Sequence, residues 1–118
     1  MPVQASHILC KHTESRNPLS RRTGQTITIT KSDAMKEITM IHTQLLQLKG
    51  TNELFQKFSV IAKNRSDCGS FQNDGDLGIF ERGQMQQPFE EGTFSLEIGE
   101  MSTVIDTDSG LHLIFRTA

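Results

Sequence analysis

Cationic side chains and imidazoles crowd into one short stretch near the start of this chain, HILCKHTESRNPLSRR, residues 7–22. Lys11, Arg16, Arg21 and Arg22 share it with His7, His12 and a single acid, Glu14. The stretch carries a net +3 in a chain whose total is −2, so the rest sums to −5. A protein that binds polyanions along their length spreads its positive charge over a face or a tail. Here the charge is local and fits one anion site, for which Arg offers a planar fork that meets two phosphate oxygens at once. A solvated loop of unrelated charges is the alternative reading of the same residues.

Two further groups carry chemistry. Cys68 lies in SDCGS (66–70) and His112 in TDSGLHLI (107–114). Taken singly they say little: a lone His on a strand is commonly structural, and a free Cys is commonly a small buried hydrophobe. Cys10 and Cys68 fit neither a disulfide framework nor a zinc pattern, so no metal or cofactor is expected. They point to a reducing compartment, the cytoplasm or nucleus. No charged-then-apolar leader opens the sequence, and no apolar run approaches the roughly 20 residues of a membrane span, so no membrane association is expected. The chain has no Trp or Tyr, and its Phe residues fall in apolar patterns, so nucleic-acid binding is not expected either.

These groups need elements to position them. At 118 residues the chain is expected to form one domain, 1–118, with a real core. Residues 3–12, VQASHILCKH, alternate as a strand, with Ala5, His7, Leu9 and Lys11 on one face and Ser6, Ile8, Cys10 and His12 on the other. His7 and Lys11 are then ~13 Å apart on the same side. A loop runs to about residue 30. Thr30 or Ser32 caps a helix whose stripe is Ala34, Ile38, Ile41, Leu45 and Leu48, closed by Lys49 and Gly50. Asn52 caps a second helix facing inward with Leu54, Phe55, Phe58, Ile61 and Ala62. A turn-rich stretch leads to a strand over 77–80. Pro88 opens a helix over 89–96. Strands over 102–106 and 111–117 flank a DTDSG turn. In the last strand Leu111, Leu113 and Phe115 oppose His112, Ile114 and Arg116. The tight turn makes this last pair antiparallel, and the fold class is α+β.

In their order and spacing the fragments ASHILCKH, SDCGS, GDLGIFERGQMQQPFEEGTFSL and TDSGLHLIFRT resemble the parvulin family of peptidyl-prolyl cis/trans isomerases over residues 5–117. The resemblance implies an FKBP-like superfold: a four-stranded antiparallel sheet surrounded by four helices in the order β-α-α-α-β-α-β-β, with a short helix near 69–73. It implies that the basic loop is the phosphate-binding loop of the subgroup specific for phospho-Ser/Thr-Pro. Lys11 and Arg16 match that subgroup's Lys and first Arg. Asn17 stands where the subgroup has a second Arg, and Arg21 and Arg22 are additional cations within reach. Leu77, Met85 and Phe89 match the proline pocket, and Gln86 its rim. Cys68, His7 and His112 match the central polar cluster, and Thr107 and Ser109 the hydroxyls beside the histidines. On this resemblance the partners are phosphorylated Ser/Thr-Pro proteins and the domain works as a monomer. A WW module, which some relatives carry, requires Trp and has none here.

Rotation about an X-Pro bond breaks no covalent bond, and its barrier is about 18–20 kcal/mol. Cys68 is therefore expected to act electrostatically rather than as a nucleophile. Two rival functions remain at this level: a parvulin foldase with little phosphate preference, and a phosphopeptide-binding adaptor with negligible turnover.

Overall fold

The computed structural model describes residues 2–118. Its elements are β1 (Val3–Cys10), α1 (Lys31–Leu46), α2 (Glu53–Arg65), a 3-10 helix (Gly69–Asn73), β2 (Asp76–Phe80), α3 (Gln87–Phe94), β3 (Ile105–Thr107) and β4 (Gly110–Arg116). The strands form one antiparallel sheet in the order β2-β1-β4-β3. This is the expected α+β order, with three α-helices and one 3-10 helix as the four. No helix among the described residues is long and apolar enough to cross a membrane.

Strand alternation divides the interior in two. Ile8 and Cys10 of β1, with Leu111, Leu113 and Phe115 of β4, pack against Ala34, Ile38 and Leu45 of α1 and Leu54, Phe58 and Ala62 of α2. Val3 and Ala5 of β1 and Ile114 of β4 face the opposite way, onto Phe80 and Phe89. Period two therefore delivers His7 and His112 to the second, smaller core beside α3.

Two glycines permit close approaches that hold β1 in place. Gly75 has φ +88°, and a Cβ there would lie 2.6 Å from His7 O and 2.8 Å from Ala62 Cβ. Its carbonyl instead accepts from His7 N at 2.9 Å. Gly110 has φ +144°, and a Cβ would meet Cys10 O at 2.8 Å. Only a residue without a side chain fits either position.

Several boundaries differ from expectation. α1 stops at Leu46, because Leu48 N and Lys49 N turn back to Leu45 O and Leu46 O; Gly50, at φ +81°, closes that turn rather than the helix. Thr30 caps α1 as expected, its hydroxyl accepting from Asp33 N. Asn52 makes no side-chain cap on α2; Thr51 Oγ1 accepts from Glu53 N instead. Phe55 is exposed, lying over Phe115 at 5.0 Å between ring centroids. The strand expected over 102–106 is confined to Ile105–Thr107, since Ser102 Oγ takes the Ile114 N–H.

Candidate active site

β1 and β4 are neighbours at the centre of the sheet, and this adjacency sets the site. His7 Nδ1 stands 3.0 Å from His112 Nδ1, with the rings nearly parallel. Phe89 of α3 packs roughly perpendicular to both rings. His112 Nε2 lies 2.7 Å from Thr107 Oγ1, which also accepts from Ser109 N. Burial, and then the neighbouring His7, hold the His112 pKa well below its ordinary value. His112 is thus a neutral ring with one proton. Its two hydrogen bonds must then run in one direction. Either His7 donates to His112 and His112 to Thr107, or Thr107 donates to His112 and His112 to His7.

Cys68 immediately precedes the 3-10 helix, on the wall beside His7. Burial pushes its thiol up, but His7 and Ser70 outweigh burial and draw it down to about 6. His7 Nε2 and Ser70 Oγ are buried and have no other hydrogen-bond partner among the described residues. Cys10, by contrast, is pushed up to about 12 by burial and is an inert core thiol.

An open cavity of about 310 Å³ lies in front of these groups. Leu77, Met85 and Phe89 form its apolar side, and His7, Cys68, Thr107, Ser109 and His112 its polar side. Gln86 clamps one rim: its Nε2 donates to Ser109 Oγ at 2.7 Å and its Oε1 accepts from Asp108 N at 3.1 Å. Ser109 was expected beside the histidines; its hydroxyl bonds Gln86 instead, and Thr107 is the hydroxyl that meets His112.

A second cavity of about 280 Å³ adjoins the first and shares Leu9, Arg16, Cys68 and Ser109 with it. Lys11, Asn17 and Arg21 complete its wall. Arg16 and Arg21 are exposed, and their side chains are unpaired among the described residues. Lys11 is buried, its Nζ donating to Asn17 O at 2.9 Å and Leu19 O at 2.7 Å. Burial and then Arg21 lower its pKa. Lys11 therefore folds the loop, and its ammonium has one N–H beyond these two bonds. Arg22 departs from expectation: it lines a separate groove behind the loop, with Arg65 and Asp67.

Asp67 is the residue whose part the sequence left unread. It is fully buried, accepting from Ser20 Oγ at 2.8 Å, from Lys11 N at 3.0 Å and from Arg65 Nη1 at 3.0 Å. Its backbone joins Leu9 O and Arg21 N. One side chain thus ties the basic loop to β1 and to the end of α2. The signal available was its place next to Cys68, with no stated reason for an acid there.

A family model described as a rotamase, PPIC-type PPIase domain matches residues 7–118. The Theileria annulata protein named peptidyl-prolyl cis-trans isomerase NIMA-interacting 1 is 45% identical over 116 residues, covering 98% of this chain and 80% of the relative. The Rhizopus delemar peptidyl-prolyl cis-trans isomerase pin1 is 49% identical over 116 residues, covering 98% and 73%. The solved structure of peptidyl-prolyl isomerase ESS1 from Candida albicans superimposes with a TM-score of 0.88 at 37% identity, covering 99% of this chain and 63% of that longer one. With the paired histidines, the adjoining thiol and the apolar slot in this sheet, these matches place the chain in the parvulin family of peptidyl-prolyl cis-trans isomerases.

Proposed function

We propose that this domain isomerises phospho-Ser/Thr-Pro bonds in proteins, without a covalent intermediate. The observation that carries the reading is a shared wall. Arg16, Cys68, Leu9 and Ser109 line both the apolar slot and the basic cavity beside it. A phosphate of about −1.5 to −2 charges held by Arg16, Arg21 and Lys11 leaves the next residue's ring at Leu77, Met85 and Phe89. Cys68 then lies beside the bond between them.

Holding both ends favours rotation when the twisted amide is bound better than the planar one. The planar amide carries partial negative charge on its oxygen, and twisting removes resonance. At neutral pH a thiol with a pKa of about 6 is mostly thiolate. A thiolate near that oxygen disfavours the planar form more than the twisted one. An acceleration of ~10⁴ needs about 5.5 kcal/mol, within reach of such a group together with orientation. Slot and basic cavity are complete in one chain, which supports a monomer. Two free thiols support a reducing compartment, the cytoplasm or nucleus.

The test compares kcat/KM on matched phospho-Ser-Pro, Glu-Pro and Ala-Pro peptides. A preference of at least ~10-fold for the phosphopeptide over Ala-Pro is expected, about 1.4 kcal/mol. Equal values would favour the foldase reading, which the Asn17 position and the two loop carbonyls on Lys11 Nζ support. Tight phosphopeptide binding with no turnover would favour the adaptor.

A further inference from the structure

One carboxylate stands behind the apolar side of the slot without lining it. Glu90 follows Phe89 in the first turn of α3. Phe89 is buried against the two histidine rings. A step of ~100° round the helix turns Glu90 away from them. Its carboxylate reaches back instead to the loop 81–86, which joins β2 to α3. Oε1 accepts from Gly83 N at 2.5 Å, and Oε2 accepts from Arg82 Nη1 at 3.3 Å. The Arg82 guanidinium also lies over the Phe94 ring of the same helix, 4.3 Å from its centroid. The Arg82 side chain is 63% exposed but that of Glu90 only 14%. An exposed ion pair contributes little by itself, so the charged acceptor on a backbone N–H is the stronger contact. Gly83 presents that N–H at φ +90°, a conformation natural to glycine.

The loop has few other holds. Gln84 Oε1 accepts from Glu81 N at 2.8 Å, and Gln84 N donates to Glu81 O at 3.3 Å. Both bonds close the loop on itself. Gln86 fixes its far end to Ser109 and Asp108. Among the described residues, Glu90 takes the only hydrogen bonds that residues 81–85 give to another element. The same stretch carries Gln84 and Met85 into the slot, and Met85 packs on the small core that includes Phe89. Phe89 and Glu90 thus divide one task. The first is a wall of the slot, and the second holds the loop that supplies another wall.

We propose that Glu90 is a positioning residue for the isomerase reaction, and that its hold on Gly83 and Arg82 fixes the width of the proline slot by fixing Met85. Glu90 touches no substrate and acts through Met85. The proposal needs isomerase activity alone and is independent of any phosphate preference. A ring held between fixed walls carries its contacts into the twisted state. With one wall loose, the loop must be ordered at each encounter, and that ordering draws on the same contacts.

The experiment takes whichever of the three peptides above is turned over fastest. It measures kcat and KM on that peptide and on a twin with pipecolic acid, the six-membered-ring homologue, in place of proline. The wild type is expected to favour proline by ~10-fold or more, as for one added methylene in a fitted slot. Glu90→Ala should lower kcat/KM on the proline peptide by ~10-fold and narrow the preference for proline, because a loosened slot no longer rejects the larger ring. Glu90→Gln keeps an acceptor for Gly83 N and should restore most of both. Met85→Ala should itself be impaired, and adding Glu90→Ala to it should cost less than ~2-fold more, since the two act through one wall. A Glu90→Ala protein with an unchanged ratio of proline to pipecolate, whatever its thermal stability, overturns the proposal. Additive losses with Met85→Ala overturn it too, as does a wild type indifferent to ring size. If Glu90→Ala does not fold, Arg82→Ala frees one carboxylate oxygen and uncovers Phe94 while leaving the Gly83 bond. The ratio should then narrow by a smaller factor, and an unchanged ratio there overturns the proposal as well.

Discussion

His7 Nδ1 and His112 Nδ1 meet at 3.0 Å across the two central strands, and His112 is kept neutral. One ring nitrogen serves as the other's buried hydrogen-bond partner. Replacing either alone leaves a desolvated nitrogen without a mate, at about 1–3 kcal/mol. His7→Leu and His112→Leu should each destabilise by that amount. The double variant should fall short of their sum by ~1 kcal/mol, since no ring remains to be orphaned. Urea denaturation of the four proteins measures the coupling, and strict additivity would show that the contact carries no energy.

Thiol titration follows from the contrast between the two cysteines. Cys68 is drawn down to about 6 and Cys10 is pushed up to about 12. Ultraviolet absorbance of the thiolate should rise with a midpoint near pH 6, and Cys68→Ser should abolish that step. The ionised form lies above this midpoint, so isomerase activity should fall as pH drops through about 6 and level off above it. A single midpoint near the ordinary Cys value of about 8.5 would remove the thiolate from the mechanism.

Within the basic loop the three arginines should separate. Arg16 lines both cavities, Arg21 the basic one, and Arg22 neither. Arg16→Ala should lose most of the preference for phosphopeptide, by ~10-fold or more, while turnover of Ala-Pro peptide changes little. Arg21→Ala should lose less, and Arg22→Ala nothing. Equal losses from all three would mean a diffuse field rather than a placed contact.

Asp67 should matter for stability before it matters for activity. Asp67→Ala strands Ser20 Oγ, Lys11 N and the Arg65 guanidinium at once, and Arg65 keeps only its pair with Glu37. Removing one member of a buried charge pair costs about 3–5 kcal/mol. A thermal melt of this variant should show one of the larger losses of any single change outside the apolar core. A shift comparable to that of an exposed acid such as Glu97 would show that the loop does not hang on it.

The sequence made some of this legible and hid the rest for physical reasons. Alternation in β1 and β4 put His7 and His112 on named faces, because a strand's period of two leaves no freedom once one face is apolar. The stripe of α1 was readable for the same reason at period 3.6, though its end was not, since tight turn bonds at Leu48 and Lys49 compete with the last helical turn. Arg21 and Arg22 are adjacent and alike in sequence, yet Asp67 fixes the backbone of Arg21 and the two side chains reach different cavities. Long-range partners such as Ser20 with Asp67, or Gln86 with Ser109, leave no periodic trace. That only Thr107 of the two hydroxyls meets His112, while Ser109 bonds Gln86, was invisible for that reason.

Cys68 separates two mechanisms, and one substitution distinguishes them. A nucleophile cannot be replaced by a carboxylate without losing covalent chemistry, whereas an anionic group beside the amide can be. Cys68 shares the cavity wall with His7, and its thiol is already shifted toward the anion. Cys68→Asp places a charge there that is fixed at neutral pH, since an Asp ionises near 3.9. It should therefore retain substantial activity on phospho-Ser-Pro peptide. Cys68→Ala and Cys68→Ser, which place no charge, should each lose at least ~10-fold more, about 1.4 kcal/mol of transition-state stabilisation. The pH profile adds a second readout: in Cys68→Asp the fall in activity through about pH 6 should move to more acidic pH. Thermal melts of each variant separate lost chemistry from lost structure. A folded Cys68→Asp protein that is inactive, together with a tetrahedral adduct between the wild-type thiol and the substrate carbonyl, its C–N bond intact, would establish covalent catalysis instead.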